Sequence, residues 1–240
     1  MIAVASTIRI RMMQDHVDVV SLPDARLGVF AAAVPWREFR WYRKQRHFSG
    51  SYWSATMQAP VGYESRLEYA NLLLCDFDPR VDWILSQPFL MEGDDHGTTR
   101  RHIPDYLISH TDRLVCVVDV KPAAKLQVPA VRDSLDWTRR EGEAHGWGYR
   151  GGSEAHPGLL ANVQVLAGYR RSFQFDPGQV DAAATVLGAA VTFGEAVRAV
   201  TPIAGEQRFA RSLVLHLLWT QRLRTDLSHL LSTTSVLELT

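Results

Sequence analysis

Two apolar runs near the middle of the chain leave few ways to fold it. Ile103-Pro104-Asp105-Tyr106-Leu107-Ile108 is followed, after the polar residues 110–113, by Leu114-Val115-Cys116-Val117-Val118-Asp119-Val120-Lys121-Pro122. Short runs rich in β-branched residues on either side of a turn-forming stretch read as a hairpin of buried strands. Setting Asp105 opposite Asp119 leaves the tip Thr111-Asp112-Arg113 between His110 and Leu114, a common hairpin loop length. The charges are what the apolar pattern leaves unexplained. Asp119 and Lys121 share one face of their strand, while Val118 and Val120 occupy the other. A charged pair at the end of a core strand is costly to bury unless something binds it. Two carboxylates converging with one ammonium suit a divalent cation and a water nucleophile. The plainer alternative is a surface hairpin that simply solvates them.

A third carboxylate favours the site. Residues 63–77 have helical periodicity, with Leu67, Ala70, Leu74 and Phe77 on one stripe and Asp78-Pro79 ending the run. Glu64 and Glu68 lie one turn apart on the same side. Glu64 is expected to complement the helix dipole as a first-turn acid. Glu68 sits deeper among apolar neighbours, where a solvated acid is less expected.

These residues carry a resemblance. The order Leu67-Glu68, Phe77-Asp78-Pro79, Gln87-Pro88, Pro104-Asp105 and Asp119-Val120-Lys121-Pro122-Ala123-Ala124 resembles the TnsA-like transposase endonuclease family, a branch of the PD-(D/E)xK nucleases. The similarity is clearest over residues 63–126. It implies an α/β fold, a restriction-endonuclease-like mixed sheet flanked by helices, with Glu68 and Asp105 as metal ligands and Lys121 as the catalytic lysine. The best-known family member has glutamine where this chain has Asp119, which here gives the metal a charged ligand and moves the chain towards the general nuclease pattern. The Val120 carbonyl, between Asp119 and Lys121, is a further candidate ligand. Phosphodiester hydrolysis needs an activated water and stabilisation of charge on the phosphorane oxygens. Mg²⁺ (with Mn²⁺ as substitute) supplies both, and Lys121 would orient or help deprotonate the water. The resemblance further implies DNA at transposon ends, a DDE transposase subunit and an ATPase target regulator as partners. Two other readings are a free-standing restriction or repair endonuclease and a catalytically silent DNA-binding transposition subunit.

Residues 36–48 hold Arg37, Arg40, Arg43 and Arg46 at three-residue spacing, with Lys44 and interleaved aromatics. On a helix this spacing keeps the arginines on one slowly drifting face, suited to phosphate contacts or to simple solvation. The formal net charge is +0, so DNA affinity must come from local patches. Cys75 and Cys116 both sit in apolar runs, which points to free thiols in a reducing, cytoplasmic compartment. The histidines show no zinc-ligand spacing, and no apolar run reaches the length of a membrane span.

The remaining chain reads as a helix over 129–145 stopped by Gly146, a short strand near 148–150, a loop over 151–158 and a helix over 159–169. Strands alternating with covering helices imply an α/β core. Phe175-Asp176-Pro177-Gly178 marks a boundary between a nuclease domain, 1–175, and a small domain, 176–240. The latter reads as short helices over 180–187, 193–200 and 205–220, with a closing strand pair at 222–227 and 235–239. Asp176, Thr192 and Thr201-Pro202 serve as cap or turn signals. Such a pattern describes a winged helix-turn-helix, which TnsA-like proteins also carry at this end. Its run 211–219 is too apolar for an exposed DNA-reading helix and suggests a protein partner. Ile8, Ile10 and Met12, alternating with Arg9 and Arg11, suggest an edge strand.

Overall fold

The computed structural model describes residues 6–37, 48–188 and 190–240. The chain is mixed α/β and divides into two compact units, one of residues 1–75 and 80–154, the other of 76–79 and 155–240.

The first unit contains β1 (Thr7–Arg11), β2 (Val17–Ser21), β3 (Gly50–Ser54), β4 (Ala59–Tyr63), most of α1 (Arg66–Phe77), β5 (Val81–Ser86), β6 (Leu90–Asp95), β7 (Thr98–His102), β8 (Tyr106–His110), β9 (Val115–Val120), α2 (Ala123–Leu126), α3 (Pro129–Ala144) and β10 (Gly148–Gly152). One four-stranded sheet has the order β2-β1-β6-β7 and the other β10-β9-β8-β5, with a separate β3-β4 hairpin. The second sheet is mixed, because β10 runs parallel to β9 while β8 and β5 are antiparallel. Every residue of β9 is buried, as expected of a strand that reads as an uninterrupted apolar run. Tyr106 pairs with Val118 and Leu107 with Val117, a register that continues to Asp105 opposite Asp119. Arg113 closes the tip in the left-handed region (φ 68°), and its N–H donates to the His110 carbonyl.

The core of this unit joins Ile8 and Ile10 to Phe30, Phe89, Met91, Leu107, Val115, Val117 and Trp137. β1 is therefore an interior strand between β2 and β6 rather than an edge, since Ile8 and Ile10 are wholly buried. Along α1 the apolar stripe is also wider than its periodicity suggests. Residues 70–73, 75 and 76 are buried, and only Arg66 is exposed, so the helix is covered nearly all round. Tyr69 packs against Tyr52 and Tyr63 from the β3-β4 hairpin, with ring centroids 5.8 and 5.1 Å away.

The second unit contains α4 (Pro157–Leu166), α5 (Pro177–Val186), β11 (Ala190–Thr192), α6 (Phe193–Ala204), α7 (Gln207–Trp219), β12 (Leu223–Arg224) and β13 (Val236–Leu239). Its boundary falls after Glu154, ahead of the Asp176 turn, because α4 belongs to this unit. Buried Asn162 on α4 donates to the carbonyls of Leu227 and His229 and accepts from the Leu231 N–H. Asp176 caps α5 by accepting from the Gln179 N–H, and Thr192 forms a capping box with Glu195 at the start of α6. Pro202 does not end α6; the helix continues to Gly205, whose φ of 81° suits a C-terminal stop. The three small strands order as β11-β13-β12, all antiparallel. Residues 213–219 of α7 are buried, so their apolar character is spent on the core of this unit.

Candidate active site

The site lies where the β8-β9 hairpin ends and its apolar faces give way to charge. Asp105 occupies a bend immediately before β8, and Lys121 follows the last residue of β9. Asp105 Oδ2 accepts from the Val120 N–H at 2.6 Å and from Lys121 Nζ at 3.0 Å. The same ammonium donates to the Val120 carbonyl at 3.1 Å. Asp105 Oδ1 takes no donor among the described residues, which leaves it available to a ligand.

Electrostatics tie four groups together. Burial raises the Asp105 carboxyl above its usual value, Lys121 works against that shift, and Asp119 adds to it. Burial alone would lower Lys121, yet Asp105, Asp119 and Glu68 hold its ammonium above the ordinary lysine value. Lys121 is thus a fixed cation at neutral pH. Burial, followed by repulsion from Asp105, pushes Glu68 up to about 7. The structure therefore brings Glu68, Asp105, Asp119 and Lys121 within electrostatic reach of one another, three carboxylates against one ammonium.

Glu68 also has a structural task. Its Oε2 accepts from the Glu64 N–H at 2.7 Å and its Oε1 from the Ser65 hydroxyl at 2.8 Å, while Ser65 Oγ accepts from the Glu68 N–H. This is a variant of the capping box, readable in the sequence as Ser65-x-x-Glu68. Glu64 lies before α1 rather than in its first turn.

Asp119 is committed differently. It is 1% exposed, and its Oδ1 lies 2.7 Å from His102 Nε2 while its Oδ2 accepts from the Tyr149 hydroxyl at 3.0 Å. His102 and Tyr149 stand 17 and 30 residues away on β7 and β10, so no local pattern announces them. Among the described residues, no group of three or more His, Cys, Asp or Glu side chains is arranged to hold a metal ion. The donors nevertheless suit Mg²⁺ in its common protein mode, one or two carboxylates completed by waters and substrate phosphate. Asp105 offers its Oδ1 for this, whereas both oxygens of Glu68 already accept, from the Glu64 N–H and the Ser65 hydroxyl.

Gln87 is a further residue that sequence reading passed over as part of a motif. Buried and left-handed (φ 43°), it donates its N–H to the Asp105 carbonyl and accepts from the Trp36 N–H. Its side-chain Oε1 accepts from the Arg37 N–H at 3.0 Å. Gln87 thereby pins the start of the basic segment to the bend that carries Asp105. Arg37 sits at a bend, and its Nη1 lies 3.5 Å from Glu64 Oε2. Arg40, Arg43, Lys44 and Arg46 lie outside the described residues.

The chain matches no known family model and shows no similarity to a curated protein. Among the described residues no helix is long and apolar enough to cross a membrane.

Proposed function

We propose that this protein is a metal-dependent DNA endonuclease, a phosphodiester hydrolase of the PD-(D/E)xK type, acting as the cleaving subunit of a heteromeric transposase. The observation that carries the reading is the Lys121–Asp105 ion pair at the end of the buried hairpin, with Asp119 and Glu68 within electrostatic reach. The mixed β10-β9-β8-β5 sheet, flanked by α1 and α3, is compatible with a restriction-endonuclease-like core. The β11-α6-α7-β12-β13 order with its three-stranded sheet is likewise compatible with a winged helix-turn-helix.

Asp105 and Glu68, with the Val120 carbonyl, would hold Mg²⁺; the ion, when bound, supplies an acidified water and charge neutralisation. The chain's own residues do the rest. Held cationic between Asp105 and the Val120 carbonyl, Lys121 would turn its third N–H to a phosphorane oxygen as a hydrogen-bond donor, and so stabilise the negative charge that develops there. Asp119, saturated by His102 and Tyr149, fixes the end of β9 so that Lys121 and the Val120 carbonyl keep their places. Protein partners, a DDE transposase and an ATPase regulator, complete the proposal.

The test is cleavage of duplex DNA carrying transposon ends, in Mg²⁺ and in EDTA, with and without the DDE subunit. Mg²⁺-dependent cutting that becomes end-specific only with the partner supports the proposal. Efficient, site-specific cutting by the chain alone would instead favour a restriction-type enzyme.

A further inference from the structure

A second charged feature lies wholly within the second unit. A groove of about 660 Å³ opens between α6, the start of α7 and the segment ahead of β13. It is lined by Arg198, Arg208 and Arg211 together with the hydroxyl residues Thr192, Thr233 and Thr234, and by no acidic residue. All three arginines are exposed, so their charge is not spent on burial. Arg208 is paired with Glu206 at 3.0 Å, and Glu195 interacts electrostatically with Arg198, but Arg198 and Arg211 have no hydrogen-bonded carboxylate among the described residues. Arg211 is instead braced over the Phe193 ring, 5.1 Å from its centroid. The N–H groups of Gln207 and Arg208 in the first turn of α7 have no acceptor among the described residues and border the same groove.

We infer that this groove binds the phosphodiester backbone of duplex DNA, without reading its sequence. Three guanidinium groups and the hydroxyls of Thr233 and Thr234 on an exposed concave surface are donors that phosphate oxygens accept, whereas the Thr192 hydroxyl is already given to Glu195 at 2.7 Å. The lining offers no free aromatic face for stacking an unpaired base, since Phe193 is buried beneath Arg211. The apolar run of α7 does not oppose this assignment. Residues 213–219 are core, whereas Gln207, Arg208 and Arg211 on the first turns are exposed. The inference rests on the groove alone and holds whether or not the hydrolytic reading does.

The test uses the full chain and a labelled duplex oligonucleotide in EDTA, where binding is read without cleavage. Affinity is measured over a range of KCl for wild type, Arg198→Ala/Arg211→Ala and Arg198→Lys/Arg211→Lys. The alanine pair should bind about tenfold more weakly at low salt, and its log–log salt slope should be shallower by about 1.8, two phosphate contacts' worth. The lysine pair should recover most of the affinity, and all three proteins should melt alike. Equal affinity and slope in wild type and the alanine pair would overturn the inference. So would a loss that lysine does not restore, or arginine-dependent binding of inorganic phosphate with unchanged duplex binding. A chain that binds DNA through these arginines but cuts none fails the nuclease reading only. One that cuts DNA while its binding ignores them fails this inference only.

Discussion

Burying a lysine costs free energy, and Lys121 is kept charged by what surrounds it. The Asp105 carboxylate and the Val120 carbonyl fix its direction, and Asp119 and Glu68 add to its stabilisation. Asp119 divides from Asp105 at this scale, since its two oxygens are already used. Asp119→Asn should cost about 1–3 kcal/mol of stability by leaving Tyr149 or His102 poorly paired, yet slow cleavage less than Asp105→Asn does. Chemical denaturation alongside cleavage rates would show this; a cleavage loss in Asp119→Asn as large as in Asp105→Asn would make Asp119 a direct ligand. Glu68 yields a pH prediction. Folding raises its carboxyl from 4.5 to about 7, so the folded chain binds that proton more tightly than the unfolded chain. The penalty is absent below about pH 4.5, grows as pH rises towards 7 and is complete above it. In EDTA, Glu68→Gln should therefore gain stability relative to wild type between pH 5 and pH 8, by on the order of 2 kcal/mol. A stability difference that does not change with pH would contradict it.

At the scale of elements, the hairpin was the most legible part of the chain. Its loop length and the Asp105–Asp119 register follow from period-two alternation and turn geometry alone. The helix over 129–144 and the start of the one at 193 are similarly legible, because Pro129, Gly146 and Thr192 carry local chemistry, whereas Thr201-Pro202 reads as a turn and the helix in fact runs through it to Ala204. What could not be read locally depends on distant packing. Ile8 and Ile10 alternate as an edge strand would, but their burial comes from β6, about eighty residues on. His102 and Tyr149 meet Asp119 only once β7 and β10 are in place. The division of contacts after residue 154 likewise depends on distant packing, since α4 is held by the loop after β12. Gly158 marks that contact: a Cβ there would collide with the backbone carbonyl of Ser228, which cannot swing aside as a side chain can. Gly158→Ala should lower stability by about 1–3 kcal/mol. Gly28→Ala, with no atom near its added methyl, should stay within about 0.5 kcal/mol of wild type. Equal thermal melts for the two would show that α4 does not pack on residue 228.

For the molecule as a whole, a formal net charge of +0 sets the terms of DNA binding. Long-range attraction is weak, so local basic groups must supply the affinity, and binding should fall steeply with salt. Under the proposed function, the isolated chain should accordingly nick DNA slowly and without sequence preference in Mg²⁺, and gain rate and choice only with the proposed transposase partner. Incubation of supercoiled plasmid at two salt concentrations checks this. Fast, salt-insensitive cutting at a unique position would contradict it.

The most direct test of the hydrolytic site is the single-turnover nicking rate of Asp105→Asn against wild type in the same Mg²⁺ buffer, with thermal melts taken in parallel. Losing this carboxylate would remove a proposed metal ligand and free Lys121, so the rate should fall by about 10²–10³ with little change in melting. A variant that cuts within twofold of wild type would contradict the assignment of this hairpin end as an active site.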